Sequence, residues 1–172
     1  SMKKKFLSNL FLIIILNIII KPLYILGIDA EIINRVGVFE YGQYFAIINL
    51  TFVFNIFLDL GINNFNVKNL SQHSFLLKKY LSKIISLKIL FFFLYLSIVL
   101  FFGSFFNYNF ELLILLAINQ ALAVFVLYVR SNLAGLHMFF EDSIISVLDR
   151  FLLIVICSIL LWGGLTSNVF EI

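Results

Sequence analysis

The chain has 172 residues, of which 63% are hydrophobic, 12% are charged and one is a proline. An ordinary soluble domain is excluded, because its residues are roughly half apolar and about a quarter charged. The formal net charge is +3, but the lysines are not interleaved with aromatic residues on a soluble surface, so no nucleic-acid partner is expected.

Five apolar stretches are predicted to cross a bilayer, whose hydrocarbon core takes about 20 helical residues to span. Their predicted bounds are 6–27, 41–60, 85–103, 111–129 and 144–165. We therefore predict an all-α protein, a polytopic integral membrane bundle that forms one domain over residues 1–172. The spans leave no room for a soluble catalytic domain.

The first stretch follows three lysines at 3–5, as the apolar region of a signal peptide would. That region normally has about 7–15 residues and ends at a cleavage site of small residues. Here the apolar run continues beyond Ile20 without such a site, so a retained span is predicted. Ser1 before Met2 resembles a tag remnant and the chain ends without a polar tail, so we expect a fragment of a longer protein.

The basic residues predict a cytoplasmic N-terminus, because Lys and Arg favour the cytoplasmic side of short loops and span ends. With this orientation ten cations lie inside: Lys3, Lys4, Lys5, Lys68, Lys78, Lys79, Lys83, Lys88, Arg130 and Arg150. Only Lys21 and Arg35 lie outside, with Asp29, Glu31, Glu40, Glu111 and Glu171. The outer loops are predicted to have 13 and 7 residues, and the C-terminus to lie outside.

The longest inner connection, residues 66–84, has apolar residues on one side and lysines on the other from about residue 74. This pattern is typical of an amphipathic helix in the headgroup layer, with lysines near anionic lipid. A helix over 74–84 is therefore predicted, either lying in the interface or extending the third span.

Thr51, Asn55, Asp59 and Asn63 recur every four residues through the second span. Residues four apart lie on one helical face, so these side chains are predicted to form a polar line among apolar neighbours. The line either faces a cavity or forms interhelical hydrogen bonds, which contribute about 0.6 kcal/mol each on average. A further alternative for Asp59 is a simple charge at the helix end, in the membrane interface.

Charged residues mark two further places. Pro22 follows Lys21 near the outer end of the first span and lacks a backbone donor, which predicts a discontinuous helix beside a cavity. Snorkelling of Lys21 to the headgroups is the alternative. Asp149 and Arg150 would each cost about 2.5–3.5 kcal/mol at mid-bilayer, so we expect them nearer the inner boundary, lining a vestibule or forming a structural ion pair.

Catalytic and metal chemistry have no support in the sequence. His73 and His137 have no neighbouring ligand spacing, and the single Cys157 excludes an intrachain disulfide and a cysteine-rich metal site. No glycine-rich phosphate loop, zinc motif or nucleophile elbow occurs. We predict no enzyme activity, no catalytic residue, no metal and no cofactor. Ala117 and Ala121 have the spacing of a close helix contact.

Five stretches share their order and spacing with a known family. They are "NIIIKPLYI" ending the first span, "VGVFEYGQY" and "FLDLGINNF" opening and closing the second, "VKNL" after it, and "GLHMFFEDSIISVLDRFL" leading into the fifth. Together they resemble the polysaccharide or O-antigen flippases of the multidrug/oligosaccharidyl-lipid/polysaccharide exporter superfamily. The resemblance spans nearly the whole chain.

The resemblance implies a transporter that moves undecaprenyl-pyrophosphate-linked oligosaccharide across the bacterial cytoplasmic membrane for surface polysaccharide synthesis. Members are far longer and have two lobes around a central cavity, so this chain would be part of the N-terminal lobe and would not transport alone. The implied partners are lipid-linked oligosaccharide, membrane lipids and polysaccharide assembly proteins.

The resemblance also implies that cationic cavity residues meet the pyrophosphate. Lys21, Arg130 and Arg150 suit this role, since ammonium and guanidinium groups bind phosphate and Arg does so bidentately. Asn55, Asp59 and Asp149 complete the predicted substrate-binding set. Lys68 replaces an Arg common in relatives, so a phosphate role there is not assigned.

Two other functions stay open. An integral-membrane enzyme of polysaccharide assembly would normally show a large outer loop or an acidic metal motif. A non-transporting scaffold subunit would tolerate apolar replacement of Asp59, Arg150 and Lys21.

Overall fold

A computed structural model of the protein describes residues 2–163, which are almost entirely helical and contain no β-strand. The elements are α1 Met2–Leu23, a π-helical segment Tyr24–Asp29, α2 Ala30–Val36, α3 Val38–Val53, α4 Ile56–Asp59, α5 Ile62–Gln72, α6 Leu76–Phe105, α7 Phe110–Gly135 and α8 Phe139–Trp162. The predicted end of the fifth span at residue 165, like Glu171 and the C-terminus, lies outside the described residues.

Five helical stretches in the described part are long and apolar enough to cross a membrane: Lys3–Val36, Val38–Asp59, Leu76–Phe105, Phe110–Gly135 and Phe139–Trp162. Large apolar side chains stay exposed on all of them, for example Phe11, Phe52, Phe101, Leu115 and Phe151. Such apolar surfaces are rare on soluble monomers and fit contact with lipid. The prediction of an all-α bundle with five helices of membrane-spanning length is confirmed.

The first span is longer than predicted. Pro22 does not interrupt it, because the helix continues through the π-helical segment, which begins two residues later, and through α2 to Val36. The wider turns of a π-helix rebuild the hydrogen-bond ladder after proline, and the Ala30 N–H donates five residues back to Ile25 O. The predicted outer loop of 13 residues was wrong, since only Gly37, at φ +99°, separates α2 from α3.

The second span is less regular than predicted. Its helix tightens at residues 54–55, where the Asn55 N–H donates three residues back to Phe52 O. α4 ends at Asp59 and is followed by Leu60 and Gly61, both left-handed with φ of 48° and 85°, a conformation that glycine adopts at little cost. The four polar residues from Thr51 to Asn63 therefore do not lie on one continuous helix.

Residues 76–84 form the first turns of α6, which runs without interruption to Phe105. The structure thus has an extension of the third span here and no separate interfacial helix over 74–84. The preceding part of the predicted inner connection contains a helix of its own, α5, which ends at Gln72.

The chain forms two compact units, which are described separately. The first comprises Ser1–Tyr41 and Phe139–Ile172. In its described part α1 packs along α8, and the Phe6 and Phe139 rings meet edge to face at 5.6 Å. Its buried core consists of Ile28, Cys157 and Leu161, with Tyr24, Ile32, Leu153 and Ile154 packed against it.

The second unit comprises Gly42–Met138. Its buried core consists of Ile47, Leu58, Tyr95, Val99, Leu113, Leu116, Ala117 and Val124. Ala117 is fully buried where α7 packs on α6, in agreement with its predicted packing role. The Asn109 side chain begins α7 by accepting from the backbone N–H groups of Glu111 and Leu112, as a helix cap does.

Candidate functional site

The six predicted substrate-binding residues are divided between the two units. Lys21, Asp149 and Arg150 belong to the first, whereas Asn55, Asp59 and Arg130 belong to the second. Three of the six predicted residues therefore belong to each unit, and the geometry of each set is given on its own.

In the second unit Asp59 pairs with Lys88, whose Nζ lies 3.1 Å from Asp59 Oδ1. The Lys88 side chain is 7% exposed and that of Asp59 is 26% exposed. The ammonium also lies over the Tyr128 ring, 5.1 Å from its centroid, a cation–π distance. The same carboxylate oxygen accepts from the Asn63 backbone N–H at 3.2 Å. Asp59 thus joins α4, α5 and α6, and its charge is compensated inside the unit.

Thr51 and Asn55 of the predicted polar line differ in their surroundings. Thr51 is buried, its Oγ1 donates to Ile48 O, and its carbonyl accepts from the Tyr95 hydroxyl at 2.9 Å. Asn55 is half-buried at the start of α4 and its side chain caps no backbone group there. The interpretation of this line as interhelical hydrogen bonding describes the Asp59 side chain, whose partner Lys88 lies on α6, whereas the Thr51 hydroxyl bonds within α3.

Asn63 and Asn66 on α5 differ in how their side chains are hydrogen-bonded. Asn63 Oδ1 is buried and has no partner among the described residues. One turn later Asn66 is satisfied, since its Nδ2 donates to Ser131 Oγ at 2.9 Å and to Asn132 Oδ1 on α7. Arg130, beside this contact on α7, is half-buried. Asn66 therefore fastens α5 to α7.

In the first unit Arg150 lies about half-way along α8, as the twelfth of its 24 residues. Its guanidinium lies over the Tyr24 ring, 5.2 Å from the centroid. The Tyr24 hydroxyl in turn hydrogen-bonds to the Asp29 carboxylate, five residues later. A π-helix aligns residues five apart, so the π-helical segment places Tyr24 and Asp29 on the same side.

Arg150 forms no close ion pair with a carboxylate among residues 2–163, and the Asp29 carboxylate attracts it from a longer distance. It is exposed, as is Asp149, and the two neighbours do not pair with each other. The structural ion pair considered as an alternative for Asp149 and Arg150 was wrong within the described residues. Lys21 is also exposed and its ammonium has no ion-pair partner there.

Arg35, which was predicted to lie outside, is held differently. Its Nε donates to Glu31 at 2.8 Å, one turn earlier on α2, and its Nη1 donates to Leu161 O near the end of α8. A cation at the last carbonyls of a helix satisfies an acceptor that lacks an intrahelical partner. Arg35 therefore ties α2 to α8 and is not available to a substrate in this arrangement.

Three functional candidates were not predicted from sequence: Lys88, Tyr24 and Asp29. For Lys88 a signal existed, because it falls inside the predicted span 85–103 and a charge within an apolar span needs a partner. Asp29 was assigned to an outer loop, and nothing in the sequence marked the π-helical turns that bring it to Tyr24.

No group of three or more His, Cys, Asp or Glu side chains that could hold a metal ion occurs among residues 2–163. The second unit carries an apolar cavity of about 250 Å³ between α6 and α7, with Lys88 as its one charged lining residue in the described part. Comparison with known protein families, characterised proteins and solved structures finds no match to this chain.

Proposed function

We propose that this chain is part of a membrane transporter that flips a lipid-linked oligosaccharide, carried on undecaprenyl pyrophosphate, across the bacterial cytoplasmic membrane. Its N-terminus lies in the cytoplasm. The observation that carries the proposal is Arg150, an arginine half-way along an apolar helix with no ion-pair partner in the described part of the chain.

Placing arginine within a membrane helix costs about 2.5–3.5 kcal/mol, so such residues usually face a polar cavity or an anionic partner. Tyr24 holds the guanidinium by a cation–π contact and leaves its N–H donors open to a ligand. A pyrophosphate supplies two adjacent anionic groups, which suit the forked donors of arginine. Lys21, exposed one turn before Tyr24, would add a second cation.

The residues of the second unit contribute to this function in a different way. Asp59 is already paired with Lys88, so a direct contact between its carboxylate and a sugar requires that pair to open. Asn55 and Arg130 are half-buried and stay proposed substrate contacts. The resemblance to polysaccharide flippases favours sugars over other anionic lipids as the cargo.

The test uses the protein encoded by the intact reading frame, in cells that depend on it for surface polysaccharide. Arg150→Ala and Lys21→Ala should each lower surface polysaccharide and let lipid-linked oligosaccharide accumulate, at unchanged protein level. Lys4→Ala, an exposed cation on the same helix as Lys21, is the matched control and should have no effect.

Normal surface polysaccharide in both the Arg150→Ala and the Lys21→Ala variants would contradict the transporter proposal and favour a scaffold. Loss of polysaccharide without accumulation of its lipid-linked precursor would instead indicate an enzyme that makes the precursor.

A further inference from the structure

The end of the second unit where α5 meets α6 carries only positive charge. Lys68 on α5 and Lys78, Lys79 and Lys83 on α6 are all exposed. No Asp or Glu occurs between residues 60 and 110, and none of these four lysines forms an ion pair in the described part. We call residues 62–84, with their connection at 73–75, the basic hairpin.

The length of α6 places Lys78, Lys79 and Lys83 at the edge of the bilayer. Its 30 residues extend about 45 Å at 1.5 Å per residue, whereas the hydrocarbon core is about 30 Å thick. The apolar run 85–103 is long enough to fill that core by itself. Residues 76–84 therefore extend into the headgroup layer, where phosphate groups lie.

The hairpin also has the aromatic residues typical of a membrane interface. Phe75, at its tip, is 69% exposed, and Tyr80 is half-buried beneath the Lys79 ammonium, 5.4 Å from the ring centroid. Aromatic rings and basic side chains together anchor a helix end at headgroup level.

The lysines stand on a fixed support. Asn66 hydrogen-bonds to Ser131 and Asn132 on α7, and Leu70 packs against Gly135. α5, with Lys68, is therefore held on α7, and Lys78, Lys79 and Lys83 lie on the continuous helix α6. The ordering of a mobile loop thus does not oppose ligand binding.

We propose that the basic hairpin is a binding surface for anionic phospholipid, selective for phosphate headgroups with a net negative charge over zwitterionic ones. Phospholipid is the occupant because the surface combines unpaired ammonium groups at headgroup depth with exposed apolar side chains that an acyl chain covers. The surface is distinct from the residues proposed to meet the transported substrate.

The test is native mass spectrometry of the purified chain in neutral detergent, titrated with phosphatidylglycerol or phosphatidylcholine of identical acyl chains. The unmodified protein should bind phosphatidylglycerol at least about tenfold more tightly, since each lysine near an anionic surface strengthens binding about fivefold. The preference should fall as salt is raised, because exposed charges are screened.

The decisive variant is the triple Lys78→Gln, Lys79→Gln, Lys83→Gln, which should lose the preference. Its matched control changes the net charge equally with Lys3→Gln, Lys4→Gln and Lys5→Gln on α1, and should keep it. Equal loss in both triples would reduce the effect to net charge and overturn the proposal, as would an unchanged preference in the hairpin variant.

If the hairpin triple does not fold, the single Lys79→Gln and Lys83→Gln variants should each weaken phosphatidylglycerol binding about fivefold. Unchanged binding in both single variants would likewise overturn the proposal.

Discussion

Lys88 on α6 donates to Asp59 on α4 over 3.1 Å, and the same ammonium lies over the ring of Tyr128 on α7. One cation thus connects three helices of the second unit. The Lys88 side chain is only 7% exposed. Interactions of this kind are stronger away from water, but they leave a costly charge behind when one partner is removed.

Lys88→Met should therefore destabilise the protein by about 1–3 kcal/mol, less than for a fully buried pair because Asp59 keeps some contact with solvent. The double variant Lys88→Met with Asp59→Leu should recover most of this loss, since it removes both charges. Unfolding in mixed detergent micelles measures both effects. Lys83→Met, an exposed site on the same helix, is the control and should change stability by less than about 0.5 kcal/mol. Strictly additive losses in the double variant would show that the two charges are not coupled.

Gly135 marks the closest approach of α5 and α7. A Cβ atom there would lie 2.6 Å from Leu70 Cβ, which is fixed to its own backbone. Gly135→Ala should cost about 1–3 kcal/mol of stability by overpacking. Gly42→Ala is the matched control, because its Cβ meets no atom within 4 Å and it lies in the interior of α3. That change should leave stability unchanged or raise it by up to about 1 kcal/mol. Equal thermal midpoints for the two variants would contradict the tight contact.

The Tyr95 hydroxyl donates to the Thr51 carbonyl over 2.9 Å, and both residues are buried. Tyr95→Phe removes this bond while the ring still fills the core, so unfolding should become easier by about 0.5–1.5 kcal/mol. Tyr108→Phe is the control, since Tyr108 packs against the same core and its hydroxyl has no hydrogen bond in the described part. A larger effect of Tyr108→Phe than of Tyr95→Phe would refute this role of the hydroxyl.

The proposed orientation places the start of α6 in the cytoplasm and its end outside. In a Cys157→Ser background, Lys79→Cys and Phe106→Cys introduce single thiols at two exposed positions, one near each end of α6. An impermeant maleimide added to intact cells should label residue 106 only, whereas permeabilised cells should give both labels. Labelling of residue 79 alone in intact cells would show that the protein has the opposite orientation.

The number and class of the helices could be predicted from the sequence because long apolar runs have few alternatives to a membrane-spanning helix. The details at Pro22 could not be predicted, since proline either breaks a membrane helix or is accommodated by a local change in its hydrogen-bond pattern. Here the helix continues into π-helical turns after Pro22. The same limit applies to residues 54–61, where a tight turn and two left-handed residues divide what the apolar pattern presented as one helix.

The candidate site was less predictable than the fold. Polar residues within each apolar span could be found, but their partners lie on other helices, as Lys88 does for Asp59 and Tyr24 for Arg150. A one-dimensional pattern identifies the face of a helix and leaves open which helix meets it. For that reason the sequence could not show that Asp59, predicted to face a cavity, is held by an ion pair. Nor could it show that Arg150 forms no such pair in the described part.

The most direct test of the transporter proposal is transbilayer movement in liposomes that contain the protein encoded by the intact reading frame. A polyprenyl-pyrophosphate oligosaccharide is incorporated in both leaflets, and a glycosidase added outside reports how quickly the inner-leaflet sugar becomes accessible. We expect accessibility well above that of protein-free liposomes, and a loss of at least about tenfold with Arg150→Ala, because removing a hydrogen-bonded charge costs about 1.5–3 kcal/mol. A rate equal to that of protein-free liposomes would contradict the proposed function.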